Sequence, residues 1–249
     1  MHPIYEALIE GIAPEEKVQF ARRGPWRSYV ECSRGGGVAS LLLAHKQPYL
    51  DSLAFPEWVG RPLRDLAACL VSEDALERAL GCAALTSYYN SPAGLSGSSA
   101  EIYPPEEDKG NVFDVLAADC RDKIVGTVGH FHGGEKLTGM RELRVFEKEP
   151  RPGDYPETRE EDLLPECEIV VITGMALTNG TMPHVLELAK NGYVALSGPS
   201  VPFSKAWFGF GVDALFGTMV WNPEACRDSV AADTHESTWK QMGKIVWKK

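Results

Sequence analysis

The chain has 249 residues and a formal net charge of −10 at pH 7, with 44% hydrophobic and 24% charged residues. That length suits one large domain or two smaller ones. The acidic balance argues against a nucleic-acid-binding protein, which would carry a basic stripe, and no run approaches the roughly 20 apolar residues of a membrane span.

The N-terminal residues and the cysteines predict a cytoplasmic location. Residues 1–17 show no basic segment followed by a long apolar run, so no secretory signal is visible. The cysteines are scattered singly, which favours reduced, mostly buried thiols over a disulfide framework or a zinc knuckle. They are Cys32, Cys69, Cys82, Cys120, Cys167 and Cys226.

The first part of the chain predicts an α+β domain. Apolar residues at helical spacing predict a helix over 2–13, and residues 73–89 predict a longer helix with Ser72 as N-cap. Between them lie three strand-like runs, 17–23, 27–33 and 37–43. Glycines separate these runs, so we expect an antiparallel meander with a hairpin turn at Gly35-Gly36-Gly37.

The second part of the chain predicts an α/β domain. The segment 90–110 is rich in Ser, Pro and Gly and is a candidate linker or ligand-covering loop. After it, apolar runs alternate with helical or loop stretches, including a well-capped helix over 181–190, which predicts a parallel sheet covered on both faces. The runs are 123–129, 142–148, 168–174, 193–199 and 214–221. We therefore predict an α+β domain over 1–105 and an α/β domain over 106–249.

Unusual residues follow the predicted parallel strands where ligands bind in such sheets, outside the carboxyl ends near the switch in strand order. They are Gly129, His130, Phe131, Glu147, Thr173, Gly174, Thr178, Asn179, Gly198, Pro199 and Ser200. Glycines allow close backbone approach, and helix N-termini offer N–H groups to anions. The sequence predicts a pocket at this rim, although tight turns and a capped helix start explain several of the same residues.

The loop after the first parallel strand lacks the dinucleotide fingerprint G-x-G-x-x-G, since only Gly126 and Gly129 stand there. Glu147 follows Gly129 by eighteen residues and could accept a ribose hydroxyl, as the acidic residue of dinucleotide folds does. A solvated glutamate at a strand end is the alternative. "ALSGPS" is not a nucleophile elbow, so Ser197 and Ser200 do not predict nucleophilic catalysis.

His130 and His132 are separated by one residue and could reach one metal ion from an extended segment. A third ligand would have to come from Glu135 or from the distant His184 or Asp154. The other interpretation is that His130 is a general acid or base, because imidazole titrates near neutral pH.

Several segments resemble the heavy-metal chelation family of bacterial and archaeal proteins, most specifically in the helix-ending Tyr-Tyr-Asn and the Gly-His-Phe loop. The segments are 81–92 (GCAALTSYYNSP), 123–131 (KIVGTVGHF), 153–174, 178–189 and 197–203. The resemblance implies an N-terminal domain like that of enolase, followed by a Rossmann-like domain. It also implies a site between the domains, with Asn90 approaching the rim from the first domain. His132 stands where the family commonly has proline.

The resemblance implies condensation or hydrolysis of pterin-, flavin- or siderophore-like molecules, with a metal ion or metal chelate as the associated species and no ligand set defined. Our leading hypothesis is a protein with an interdomain pocket for a small, oxygen-rich or anionic metabolite. In it His130 transfers a proton, the Gly129 and Gly174 amides contact an anion, and Phe131 stacks on a planar ring. The rivals are a non-catalytic carrier or sensor of a metal chelate, and a transferase that uses S-adenosylmethionine or a nucleotide. The sequence leaves a homo-oligomer open.

Overall fold

The structure is a computed structural model that describes residues 1–41, 52–131, 133–134, 137–232 and 235–249, except for the side chains of His235 and Glu236. The α-helices are α1 (Pro3–Glu10), α2 (Leu63–Ala67), α3 (Ala75–Tyr89), α4 (Val112–Leu116), α5 (Glu160–Leu163), α6 (Met175–Thr178), α7 (Met182–Ala189), α8 (Pro223–Ala231) and α9 (His235–Trp239). The strands are β1 (Phe20–Arg23), β2 (Arg27–Cys32), β3 (Gly35–Ser40), β4 (Leu53–Ala54), β5 (Glu101–Tyr103), β6 (Ile124–Val128), β7 (Glu142–Glu147), β8 (Tyr155–Pro156), β9 (Ile169–Thr173), β10 (Tyr193–Ser197), β11 (Ala214–Val220) and β12 (Met242–Lys248).

The first sheet is antiparallel, in the order β3-β2-β1-β4. The predicted meander is confirmed, but the hairpin turn predicted at Gly35-Gly36-Gly37 is wrong, because these glycines belong to β3. At Gly37 a Cβ atom would lie 2.0 Å from Ser87 N and 2.4 Å from Ala83 O. Glycine is required there because the backbone of α3 packs directly on β3.

The N-terminus of α3 also differs from the prediction. Asp74 is the N-cap, and its Oδ1 accepts a hydrogen bond from Leu76 N at 2.7 Å. Ser72, the predicted cap, accepts from Asp74 N at 3.1 Å and so supports the cap from outside the helix. Serine and aspartate are both favourable N-cap residues. Which of the two caps α3 depends on where the preceding 3-10 turn ends.

The second sheet has eight strands in the order β5-β12-β11-β10-β9-β6-β7-β8. Strands β11 to β8 are parallel to one another, whereas β12 and β5 are antiparallel additions at one edge. The five predicted strands are confirmed as β6, β7, β9, β10 and β11. The mixed α/β fold with a mainly parallel sheet is therefore the fold that the sequence predicts.

Both faces of the parallel strands are covered, which explains their continuous apolar sequences. In β9, Ile169 and Val171 pack on the side of α4, whereas Val170 and Ile172 pack on the side of α6 and α7. The second of these clusters continues without interruption into α1, α2 and α3. One hydrophobic core therefore extends from the antiparallel sheet to one face of the parallel sheet.

The division at residue 105 stays a prediction. Strand β5 precedes that position but pairs with β12 in the large sheet, in the register Ile102 to Ile245. We propose a boundary between α3 and β5 instead. Among the described residues, no helix combines the length and the apolar character that crossing a membrane requires.

Replacing Gly37 with alanine tests the contact between α3 and β3. The new Cβ has no room against backbone atoms of α3, so we expect a loss of about 3 kcal/mol or more in the free energy of unfolding. Gly209 is the matched control, since nothing lies within 4 Å of a Cβ there. Urea unfolding of both variants measures the difference, and equal stabilities would contradict the close packing.

Candidate functional site

The strand order reverses between β6 and β9. From β6 the chain runs outward through β7 and β8, and then crosses to β9, β10 and β11 on the other side. Gly129 follows β6 and Thr173 ends β9, and a Cβ atom on Gly129 would lie 3.0 Å from Thr173 Cγ2. The two loops therefore touch at the position where open α/β sheets bind ligands.

His130 stands at this switch point and is held by a carboxylate. Its Nε2 lies 2.7 Å from Asp154 Oδ2, and the Asp154 side chain is only 9% exposed. The amide of Arg151 donates to the same Oδ2 at 2.7 Å, which fixes the carboxylate in place. Because a carboxylate only accepts, the neutral imidazole carries its proton on Nε2, and Nδ1 is left as the acceptor nitrogen.

Glu147 holds the backbone of the same loop. Its Oε1 accepts from His130 N at 2.7 Å, and its Oε2 accepts from Lys148 N at 3.1 Å. Both carboxylate oxygens therefore bind main-chain amides. The ribose contact stays a prediction, and the role that the geometry gives Glu147 is to fix the position of His130.

The rim glycines do not offer their amides to a ligand. Gly129 N donates to Phe146 O at 2.9 Å, and Gly174 N donates to Ser197 O at 2.8 Å. Gly198 N likewise donates to Phe216 O at 3.0 Å. The expectation that the Gly129 and Gly174 amides contact an anion is therefore corrected, because these amides extend the sheet's own hydrogen bonding.

Two other predicted site residues, Asn90 and Ser200, form hydrogen bonds between the N-terminal part of the chain and the large sheet. Asn90 Nδ2 donates to Val201 O and Thr218 O at 2.9 Å each, and its Oδ1 accepts from Phe203 N at 2.9 Å. Ser200 Oγ accepts from Ser40 N at 2.8 Å. The approach of Asn90 from the first domain is observed, but its amide binds protein backbone.

Three other predicted side chains have local partners. The Phe131 ring packs edge-on against Phe113, with centroids 5.7 Å apart, instead of standing clear for a ligand ring. Thr178 donates to Met175 O at 3.1 Å and is fully buried. Asn179 Oδ1 accepts from Thr181 N at 3.0 Å in the turn before α7, but α7 has no side-chain capping hydrogen bond, so the capped helix start that the sequence also allowed is wrong. Pro199 is half-buried beside Gly198.

The described side chains do not fit a resident metal ion. In the part of the chain that the structure describes, no group of three His, Cys, Asp or Glu residues stands close enough to share one ion. His130 and Asp154 bind each other, and His184 Nε2 pairs separately with Glu161 Oε1 at 2.9 Å. His132 and Glu135 lie outside the described residues.

A second titratable group near the rim is Glu160 on α5. Burial raises the pKa of its carboxyl to about 7, and Glu157 adds to the rise, while Lys148 and His184 oppose it. Nothing in the sequence distinguishes Glu160 from its acidic neighbours, because its burial depends on the packing of α5 against α7.

Replacing Asn90 with aspartate tests its bridging role. A carboxylate oxygen would face the carbonyls of Val201 and Thr218 where two donated hydrogen bonds now lie. We expect the free energy of unfolding to fall by about 3 kcal/mol, since buried carbonyls lose partners beside a buried charge. Asn191, which is exposed, is the control and should change stability by less than about 0.5 kcal/mol as alanine. An unchanged Asn90→Asp stability would contradict the role.

The raised pKa of the Glu160 carboxyl predicts that the free energy of unfolding depends on pH. The folded state favours the protonated carboxyl of Glu160. The stability that this carboxyl contributes to the folded state is therefore fully present below the ordinary pKa of 4.5 and is lost as the pH rises through about 7. We expect Glu160→Gln to be more stable than the wild type by about 1–2 kcal/mol at pH 8, after allowance for solvent screening, and nearly equal to it below pH 5. Glu15→Gln, at an exposed glutamate in the turn after α1, is the control. Denaturant unfolding across this pH range measures both, and a constant difference would contradict the assignment.

Two family models together match most of the chain. Residues 111–249 match one family model, DUF364, and residues 5–89 match a second model, DUF4213. Both families carry the description "Putative heavy-metal chelation".

Two solved structures share the whole fold. A protein of unknown function from the DUF364 family of Desulfitobacterium hafniense is 30% identical, with a TM-score of 0.87 over 100% of this chain and 99% of that one. A DUF364-family protein of unknown function from Pyrococcus horikoshii is 22% identical, with a TM-score of 0.79 over 99% and 98% of the two chains, which shows the fold alone.

An uncharacterized protein of Methanocaldococcus jannaschii is 28% identical over 170 residues, which are 65% of this chain and 62% of that protein. The match therefore spans less than two thirds of that relative's length. The family model over 111–249 and the D. hafniense structure together show that this chain belongs to the DUF364 family, described by the words heavy-metal chelation.

Proposed function

We propose that the chain is an enzyme that binds a small, oxygen-rich or anionic metabolite of the metal-chelator class at the β6–β9 switch point. His130 transfers a proton during condensation or hydrolysis of that ligand, which is pterin-, flavin- or siderophore-like. The observation that carries the proposal is the 2.7 Å contact between His130 Nε2 and Asp154 Oδ2.

The oriented imidazole favours an enzyme over a carrier. A carrier of a metal chelate needs donors that match its cargo, but it has no need of a carboxylate that fixes one imidazole tautomer. Here Asp154 orients His130, and the amide of Arg151 in turn orients Asp154. A base held by a third group is the arrangement that proton-transfer sites use, and such a base contributes about 10²–10⁴ to the rate.

The chemistry of the donors supports a metal that arrives with the ligand. Siderophore-like molecules bring their own oxygen donors, so they need no protein group of three ligands. The described side chains offer pairs that already bind each other, such as His184 with Glu161. On this proposal, the protein binds the chelator and not the free metal ion, which explains why the family description refers to metal chelation.

The geometry gives less support to the nucleotide-dependent rival. In that proposal Glu147 would bind a ribose hydroxyl, but its two oxygens accept from the amides of His130 and Lys148. A ribose would have to share oxygens that already fix the loop. The catalytic proposal instead uses this contact, since it holds His130 at the rim.

Replacing His130 with glutamine tests the proposed function. We expect turnover of one member of a panel (a pterin, a flavin and a catecholate siderophore) to fall by about 10²–10⁴, while its dissociation constant changes by less than about threefold. His184→Gln is the matched control, since His184 is an exposed histidine paired with Glu161, and it should keep wild-type turnover. Mass spectrometry of the products and thermal shift measure the two quantities.

Other outcomes would replace this proposal. A panel member that raises the melting temperature of the wild type but is never converted would support a carrier. Stabilisation by S-adenosylmethionine or a nucleotide, about 2.7 kcal/mol at 100 times the dissociation constant, would support the transferase. Stoichiometric binding of free Zn²⁺ or Ni²⁺ without any chelator would contradict a metal that arrives with its ligand.

A further inference from the structure

Thr173 packs directly against the residue that precedes His130. A Cβ atom on Gly129 would lie 3.0 Å from Thr173 Cγ2 and 3.8 Å from Thr173 Oγ1. Because a C–C bond spans about 1.5 Å and successive Cα atoms lie about 3.8 Å apart, the Thr173 hydroxyl is no more than about 9 Å from the Cα atom of His130. The hydroxyl and the imidazole are therefore within reach of one small molecule that lies over the end of β6.

The hydroxyl of Thr173 can donate a hydrogen bond to such a molecule. Its Oγ1 accepts from Met175 N at 3.3 Å, in the turn that leads from β9 into α6. A threonine hydroxyl also has one proton to donate, and in the described part of the chain no residue accepts it. Thr173 is half-buried at the rim. Its proton is therefore available to an oxygen atom of a ligand.

Other hydroxyl groups and backbone amides at the rim are less well placed. The rim glycines use their amides in the sheet's own hydrogen bonding. Thr178 and Ser200 are fully buried. Ser197 lies beside Thr173 in the register of β9 and β10, but it is one strand farther from His130 and only 9% exposed. Of these groups, the Thr173 hydroxyl is the best placed to contact a ligand that also meets His130.

The imidazole of His130 is arranged to accept a proton. Nε2 contacts Asp154 Oδ2, and among the described residues none forms a hydrogen bond with Nδ1. A ring nitrogen with a free lone pair accepts a proton, and a carboxylate beside the ring stabilises the imidazolium that forms. This geometry fits a base that first receives a proton from a ligand group.

We propose that Thr173 is a second ligand-binding residue of the His130 site, whose hydroxyl donates to a carbonyl oxygen of the ligand. Nδ1 of His130 takes the proton of the hydroxyl group or water molecule that attacks the carbonyl carbon. The electron pair of the broken O–H bond stays on the attacking oxygen, which forms the new C–O bond. Negative charge then develops on the carbonyl oxygen, where a donated hydrogen bond lowers the barrier. The imidazolium returns its proton to the leaving group when the old bond to that carbon breaks.

This role rests on the proposed function and adds the chemical class of the ligand, which is an ester, an amide or another carbonyl compound. Such a ligand brings a carbonyl oxygen for the hydroxyl of Thr173. The group that attacks it brings a proton for Nδ1 of His130. The hydroxyl and the imidazole therefore act on different atoms of the reacting pair.

Thr173→Val and Thr173→Ser test the hydroxyl. Valine has nearly the shape of threonine without the hydroxyl, whereas serine keeps the hydroxyl and its contact with Met175 N. The panel is pterin, riboflavin and enterobactin, all of which carry carbonyl groups. For the compound that the wild type converts, Thr173→Val should lower kcat by about 10²–10³ and change KM by less than about threefold. Thr173→Ser should keep kcat within about threefold of the wild type.

A matched control is Thr127→Val. It makes the same change on β6, two residues before Gly129, at a threonine that is only 4% exposed, so it should keep the turnover of the wild type.

The infrared carbonyl band of the bound compound separates ligand contact from a structural role. A lost hydrogen bond strengthens the C=O bond, so the band should lie at higher frequency in Thr173→Val than in the wild type and Thr173→Ser. Loss of the contact with Met175 N alone would lower the free energy of unfolding without shifting this band. For the imidazole, NMR of the nitrogen-labelled protein without ligand should show an unprotonated Nδ1 in neutral His130.

The outcomes separate the two proposals. An unchanged carbonyl band in Thr173→Val, with or without a fall in kcat, would overturn the role of Thr173 and leave the proposed function standing. A shifted band for a compound that binds but is never converted would support the contact and overturn the catalytic function. A protonated Nδ1 in neutral His130 would overturn the direction of proton transfer. If none of the three compounds binds, both proposals are wrong.

Discussion

The rest of the structure depends on the burial of helix α3 on almost every side. Twelve of its fifteen residues are buried, because it packs against β2 and β3 on one side and against α6 on another. Such packing requires small residues at the contacts. Gly37 lets the backbone of α3 approach β3, and a Cβ on Gly81 would lie 2.4 Å from Leu70 N. The helix ends at Asn90, whose amide binds three backbone groups of the larger sheet's loops.

This packing decides which part of the rim is open. The contacts of α3 and β3 cover the loops that follow β9 and β10, where Thr178 and Ser200 are fully buried. The loops after β6 and β7 lie outside the region that α3 and β3 cover. His130, in the first of these loops, has 30% of its side chain exposed. Two carboxylates fix this one residue, Asp154 at the ring and Glu147 at the backbone amide. The contact between the two parts of the molecule and the proposed site at His130 therefore use different parts of one edge of the sheet.

Much of this arrangement could be predicted from the sequence. Continuous apolar runs such as Ile169–Thr173 predict doubly covered parallel strands, and the end of such a strand places His130 at the rim. Strands β5 and β12 escaped prediction because they are antiparallel additions at an edge, and β5 has only three residues. The glycines of β3 were misassigned because a glycine that makes room for a helix and a glycine that makes a turn look alike in sequence.

The side-chain partners could not be predicted, since they depend on tertiary packing. Asp154 meets His130 across 24 positions, and Asn90 meets Thr218 across 128. Short-range patterns carry no information on such pairs. The resemblance to the family correctly indicated that Asn90 approaches the rim, but not that its amide would bind the protein's own backbone.

The single hydrophobic cluster that joins α1–α3 to one face of the parallel sheet has a consequence for folding. The two family models divide the chain between α3 and α4, because one matches residues 5–89 and the other matches residues 111–249. Physically, however, each part buries its apolar surface on the other, so separation would expose residues such as Val170 and Leu177 to water. Because this apolar surface is shared, we expect the two parts to unfold together.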